Sequence, residues 1–210
     1  MADSYLKLCL VTQKPDKPLN QYLEFLDLAI QGGVTSVQLR AKHAPPAAVR
    51  HYALAIQPLL ASHHIPFIIN DHVGLALDLD ADGVHLGQGD LSPEIARSML
   101  GPNKIIGLSI ETFEELERAN QLNCIDYIAA SAVFPSQSKQ NCKTIWGLNG
   151  LQEIAQRSKH PVIAIGGITL NNICEVIAHG ACGVAVISAL HEHQDPFLAA
   201  KEFIQKINQG

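Results

Sequence analysis

Phe67–Leu91, FIINDHVGLALDLDADGVHLGQGDL, decides the fold. Phe67-Ile68-Ile69 is a compact apolar run that stops at Asn70-Asp71, and Gly83-Val84-His85-Leu86 is a second that stops at Gly87-Gln88-Gly89-Asp90. Between them Val73–Leu79 has room for little more than two turns of helix. Strand, helix, strand is a parallel unit, and each strand ends on a carboxylate, Asp71 or Asp90. If the strands are neighbours, both acids reach the C-terminal rim of the sheet, where α/β folds place their chemistry.

Working outward, the same unit recurs. KLCLVTQ (7–13) is a strand, and Tyr22, Leu23, Leu26, Ala29 and Ile30 recur at helical spacing until Gly32-Gly33. VTSVQLRAK (34–42) is a strand, and Pro45-Pro46 opens a helix to about Ser62 with Val49, Ala53, Ile56 and Leu60 on one face. After the opening stretch come a helix from Ser92-Pro93-Glu94 to Leu100, strand 104–110, helix 112–122, strand 125–133, helix 148–158, strand 161–165, helix 170–179, strand 183–188 and helix 196–207. Eight strand–helix units without an internal linker predict an α/β fold: one (β/α)8 TIM barrel spanning residues 1–210. The long polar stretch Phe134–Gly147 follows strand six at the chemically active rim.

Composition excludes several function classes. The apolar share is 47% and the net charge −5, an ordinary globular balance. No arginine-rich run or basic stripe points to nucleic acid, and no apolar run reaches membrane-spanning length. The N-terminus lacks a basic leader and a small-residue cleavage site. The five cysteines, Cys9, Cys124, Cys142, Cys174 and Cys182, share no CxxC spacing and read as reduced thiols of a cytoplasmic protein. Cys9 and Cys182 fall in or beside apolar strands and are expected in the core. A monomer and a homo-oligomer are both compatible with this composition.

The rim residues suggest an anionic ligand. In VQLRAK, alternation puts Gln38, Arg40 and Lys42 on one face and Val37, Leu39 and Ala41 on the other. Three long polar donors facing a barrel mouth call for an anion or acceptor, although a rim ion pair of Arg40 with Asp71 or Asp90 is the competing structural role. Two carboxylates on adjacent strand ends repel unless a cation intervenes, and an oxygen-only pair suits Mg2+ or Ca2+. Taken alone, Asp90 is a helix-entry acid near Ser92. Gly166-Gly167 after strand seven and Ile187-Ser188 after strand eight occupy positions where barrels bind phosphate. Ser109, Ser136, Ser138 and Lys139 add hydroxyls and a cation. His85 reads as a satisfied core or rim histidine, His191 and His193 as solvated linker residues, and Trp146 as a packing residue.

The ordered set VQLRAK (37–42), FIIND (67–71), ADGVHLGQGDL (81–91), IIGLS (105–109), FPSQSK (134–139), VIAIGGI (162–168) and GVAVIS (183–188) resembles the thiamine phosphate synthase family over nearly the whole chain. The resemblance implies a transferase joining a pyrimidinylmethyl diphosphate to a thiazole phosphate, with Mg2+ as cofactor. It implies pyrimidine diphosphate binding by Gln38, Leu39, Arg40, Ala41, Lys42, Asn70, Ser109 and Lys139, with Arg40, Ser109 and Lys139 catalytic. It implies thiazole phosphate binding by Ser136, Gln137, Ser138, Gly167, Ile187 and Ser188, and metal binding by Asp71 and Asp90. Where the family usually carries Gly-Pro, this chain has Ser131-Ala132, and the loop hydroxyls are serines. The rival readings are a thiazole tautomerase, whose relatives typically carry a histidine where this chain has Ala132, and a non-catalytic phosphate- or thiamine-binding barrel.

Overall fold

The computed structural model describes residues 4–12, 18–41, 44–136 and 142–209. Among them eight parallel strands close in sequence order, β1 (Leu8–Val11), β2 (Ser36–Leu39), β3 (Phe67–Asn70), β4 (Gly83–Leu86), β5 (Ile105–Ile110), β6 (Tyr127–Ser131), β7 (Val162–Ile165) and β8 (Gly183–Val186), with β8 pairing back onto β1. The expected (β/α)8 barrel is therefore present. The helices are α1 (Leu19–Gly32), α2 (Pro46–Ser62), α3 (Val73–Asp78), α4 (Pro93–Leu100), α5 (Phe113–Ala119), α6 (Gly147–Arg157), α7 (Ile173–Ala178), a single turn α8 (Ser188–His191) and α9 (Pro196–Ile207). The strands are shorter than the apolar runs that announced them, because flanking residues such as Val34 and Ala132 are buried in irregular backbone outside the ladder.

Two cores hold the barrel. The larger lies between strands and helices and takes the outward face of each strand, including Val37, Leu39, Ile69 and Val84. Onto it α2 turns Val49, Ala53, Ile56 and Leu60, the predicted face. The smaller core fills the barrel with Leu6, Cys9, Val11, Tyr127, Ala129, Ile163 and Ala185. Toward the C-terminal end the inward face becomes polar, with Gln38, Asn70, His85 and Ser131 all buried. That change of character marks where the barrel stops being a packed core and becomes a site.

Two expectations are corrected. Cys182 is exposed rather than buried, because it precedes β8 at the outer N-terminal rim, whereas Cys9 is buried in the inner core. His191 is not solvated: it closes α8, stacks on Tyr22 and meets Phe25 at a tilt on α1, and its Nε2 lies 3.1 Å from the Tyr22 hydroxyl. Sequence spacing alone carried no sign of α8, which is only four residues long.

Candidate active site

A cavity of about 900 Å3 opens at the C-terminal ends of the strands. Gln38, Arg40, Asn70, Asp71, Asp90, Ser109, Ser136, Gly167, Ile187 and Ser188 line it, so every strand end that was expected to contribute does so. Lys42, Gln137, Ser138 and Lys139 lie outside the described residues. Leu39 and Ala41 are not among the lining side chains: Leu39 belongs to the outer core and Ala41 packs against it, as strand alternation requires. A second, shallower cavity of about 490 Å3, beside Arg97 and Asp126, gathers no comparable donors; there Arg97 is engaged by Asp126 and by the carbonyls of Cys124 and Gly101.

On the β2–β3 side, Gln38 Nε2 donates to Asn70 Oδ1 at 2.6 Å, and both residues are buried. Arg40 follows β2, where its backbone N–H donates to Thr12 Oγ1 at 2.9 Å. Burial lowers the Arg40 pKa from its ordinary value and the nearby Asp71 carboxylate opposes that shift. Such a partly desolvated guanidinium is a strong attractor for an anion.

Asp71 follows β3 in the left-handed region, φ 65°, and its N–H donates to His85 O at 2.9 Å. A short polar residue tolerates this conformation better than most, so the acid is held at a defined place on the rim. Asp90 is fixed differently. Its Oδ2 accepts from the Gly87 N–H at 2.7 Å, which folds the Gly87–Asp90 turn back over β4. The cap of α4 is Ser92, whose hydroxyl accepts from Ile95 N–H, so Asp90 serves the turn and the cavity rather than the helix. Among the described residues no group of three or more His, Cys, Asp or Glu side chains could hold a metal ion. Asp71, Asp90 and Glu111 are the acids that line the cavity among the described residues, and Glu111 Oε2 accepts from the Lys143 N–H at 3.0 Å; a metal held by the two aspartates would draw its other oxygen ligands from water or a bound phosphate.

On the β5–β6 side, Ser109 Oγ lies 2.8 Å from His85 Nε2, and Gln88 Nε2 donates to the Ser109 carbonyl at 2.8 Å. His85 has both ring nitrogens engaged, as expected of a satisfied histidine, yet it also lines the cavity. Lys143 was not anticipated. It lines the cavity while its Nζ donates to Glu115 Oε1 at 2.7 Å; Glu115 is 3% exposed and also accepts from the Glu111 N–H at 2.6 Å. The hydrogen bond from Lys143 to Glu115 raises the lysine pKa. The signal in sequence was faint: an acid within α5 and a lysine far along a polar loop. Trp146 donates its indole N–H to Ser131 O at 3.2 Å and meets the Phe113 ring edge-on, which is the packing role expected.

Gly166 and Gly167 complete the rim with φ of 99° and 64°. A Cβ on Gly167 would stand 2.7 Å from Phe134 Cβ and from Pro135 O, so the loop after β6 lies directly on the glycine pair. The requirement is thus close approach as well as positive φ.

The chain is similar in sequence and in structure to thiamine-phosphate synthases. The thiamine monophosphate synthase family profile matches residues 8–190. A thiamine-phosphate synthase of Chlamydia caviae is 39% identical over 210 residues, covering 100% of this chain and 99% of that one. One from Vibrio campbellii is 47% identical over 176 residues, covering 84% and 85%. Among solved structures, thiamine phosphate pyrophosphorylase from Pyrococcus furiosus superposes with a TM-score of 0.87 at 34% identity, covering 100% of this chain and 98% of that one.

Proposed function

The chain belongs to the thiamine monophosphate synthase family and is a transferase of thiamine biosynthesis; we propose that its cavity couples 4-amino-2-methyl-5-hydroxymethylpyrimidine diphosphate to 4-methyl-5-(2-phosphoethyl)thiazole, or its carboxylated tautomer. The observation that carries this reading is the convergence of Gln38, Arg40, Asn70, Ser109, Ser136 and Gly167 on one cavity that Asp71 and Asp90 also line. The buried Gln38–Asn70 amide pair suits a flat heteroaromatic ring with donors and acceptors on its edge. Arg40 and Ser109 face the diphosphate, and family resemblance assigns Lys42 and Lys139 to it as well. Ser136, Gly167 and the Ile187-Ser188 turn take the thiazole phosphate, with Gln137 and Ser138 assigned beside them.

Asp71 and Asp90 would hold Mg2+ together with oxygens of the diphosphate, which would supply charge neutralisation for the leaving pyrophosphate. The protein's part is electrostatic and positional. Arg40, Lys139 and the Ser109 hydroxyl stabilise charge building on the departing group. The C–O bond at the pyrimidine methylene breaks, leaving a carbocation-like centre supported by the aminopyrimidine ring. The thiazole nitrogen, held close by its phosphate grip, forms the new C–N bond, giving thiamine phosphate and pyrophosphate. No protein nucleophile is needed. Cysteines without disulfide partners fit a cytoplasmic setting. Purified chain incubated with both phosphorylated halves and Mg2+ is expected to release thiamine phosphate and pyrophosphate, and EDTA to stop it. Absence of product with both substrates and metal present would overturn the reading.

A further inference from the structure

Behind Ser109 lies a hydrogen-bonded chain of buried groups. His85, Gly107 and Tyr127 are register partners across β4, β5 and β6. A Cβ on Gly107 would overlap the Tyr127 ring, so the missing side chain lets that tyrosine reach across β5 to the histidine. The Tyr127 hydroxyl lies 2.9 Å from His85 Nδ1, and His85 Nε2 lies 2.8 Å from Ser109 Oγ. Tyr127 is 1% exposed and His85 6%.

Among the described residues, the Tyr127 hydroxyl has one hydrogen-bond partner, His85 Nδ1. Burial raises the Tyr127 pKa well above its ordinary value, so the phenol keeps its proton. A buried O–H with one partner must donate to it, since an unmade bond there is expensive. His85 Nδ1 is then an acceptor, so in the neutral ring the proton sits on Nε2. Nε2–H donates to Ser109 Oγ, which occupies a lone pair of the serine and leaves its hydroxyl proton to point into the cavity.

We propose that Tyr127 and His85 are positioning residues that select the Nε2–H tautomer and thereby make the Ser109 hydroxyl a committed donor to an anionic oxygen of the substrate. This rests on the assignment of Ser109 to the diphosphate. With the opposite tautomer, Ser109 would spend its proton on His85 and present only lone pairs to a phosphate, which repel it. The device explains why a fully buried tyrosine is placed inside the barrel beneath the site, and why the facing strand has glycine.

Two measurements test it on the intact 210-residue chain. The first is 15N NMR of the histidine rings, with the His85 signals identified by their loss in His85→Gln. The Nε2–H pattern is expected in the wild type, with a mixed or reversed pattern in Tyr127→Phe. An Nδ1–H pattern in the wild type, or no change in Tyr127→Phe, overturns the proposal without reference to activity. The second is steady-state coupling. Loss of the Ser109 donor in Ser109→Ala is expected to lower kcat by on the order of a hundredfold. His85→Leu is expected to match it, with little further loss in the double variant. His85→Gln, whose amide N–H can still reach Ser109, should recover at least about tenfold of that loss, the scale of one hydrogen bond. Equal losses in His85→Leu and His85→Gln would overturn the positioning role. If Ser109→Ala couples normally, the assignment of Ser109 to substrate fails instead, and the tautomer result still stands or falls by its spectrum.

Discussion

Gln38 Nε2 donates to Asn70 Oδ1 at 2.6 Å inside the barrel mouth, with Gln38 on β2 and Asn70 on the neighbouring β3. The pair fixes which way each carboxamide points, so the remaining amide atoms face the cavity in a set order. Asn70→Ala strands the Gln38 donor and is expected to destabilise the fold by about 1–3 kcal/mol. The double replacement by Leu at both positions should recover most of that stability, because an apolar pair leaves nothing unpaired. Neither protein should bind pyrimidine diphosphate well. Urea unfolding and KM for the pyrimidine substrate separate the two effects.

Asp71 and Asp90 face the same cavity but are held by different means, and their variants should differ accordingly. Asp90→Asn keeps an oxygen to accept from Gly87 N–H, so the turn should survive while the Mg2+ concentration for half-maximal coupling rises at least tenfold. Asp71→Asn also tolerates φ 65°. Asp71→Ala does not, and should lose stability by about 1 kcal/mol in addition to activity. Metal titrations of activity and thermal melts of the three variants check this. Unchanged metal dependence in both Asn variants would remove the two acids from the metal site.

The barrel was legible because its signals are local and repeated: period-2 and period-3.6 patterns, proline at helix entry and glycine at helix exit. The faces of α2 and β2 followed directly from spacing. The rim acids were legible for the same reason, since Asp71 directly follows β3 and Asp90 closes the short turn after β4. What spacing could not reveal were contacts made across the barrel. Lys143 meets Glu115 only because α5 and the end of the long loop fold together, 28 residues apart. Tyr127 reaches His85 over Gly107 through a register that no single strand encodes. His191 reads as a linker residue until α8 docks on the aromatic pair of α1. Leu39 and Ala41 show the converse: their assignment to substrate came from resemblance, whereas alternation had already placed their side chains outward.

The cysteines should divide by accessibility. Burial pushes the Cys9 thiol up to about 11, while Cys174 and Cys182 are exposed. Alkylation of the native protein near pH 8, followed by peptide mass spectrometry, is expected to label Cys174 and Cys182 first and to spare Cys9 until the chain unfolds. Early labelling of Cys9 under native conditions would contradict its place in the inner core.

The Lys143–Glu115 pair gives an alkaline signature. The lysine pKa is raised above its ordinary value of 10.5 by the hydrogen bond to the Glu115 carboxylate. The folded state therefore holds this proton more tightly than the unfolded chain does. The stabilisation is fully present below the unfolded value and fades as pH rises through the folded one. The difference in melting temperature between wild type and Lys143→Met should be constant from neutral pH to about pH 10 and shrink above it. A difference that does not change with pH would mean that the lysine contributes packing rather than charge.

Gly167→Ala tests the junction between the loop after β6 and the rim of β7. The substitution forces a Cβ to within 2.7 Å of Phe134 Cβ and Pro135 O, and places alanine at φ 64°. Backbone strain alone is worth about 1–3 kcal/mol, and the steric contact must be relieved by moving the 134–135 segment. Ser136 moves with that segment, and Gly167 O, which accepts from Asn172 Nδ2 at 3.0 Å, is displaced with it. The variant should therefore bind thiazole phosphate at least tenfold more weakly while its KM for the pyrimidine diphosphate changes little, because Gln38, Asn70 and Arg40 stand on β2, β3 and the residue after β2. Initial-rate measurements with each substrate varied in turn give both constants. Equal weakening toward both substrates would mean that the glycine pair supports the cavity as a whole rather than the thiazole side alone.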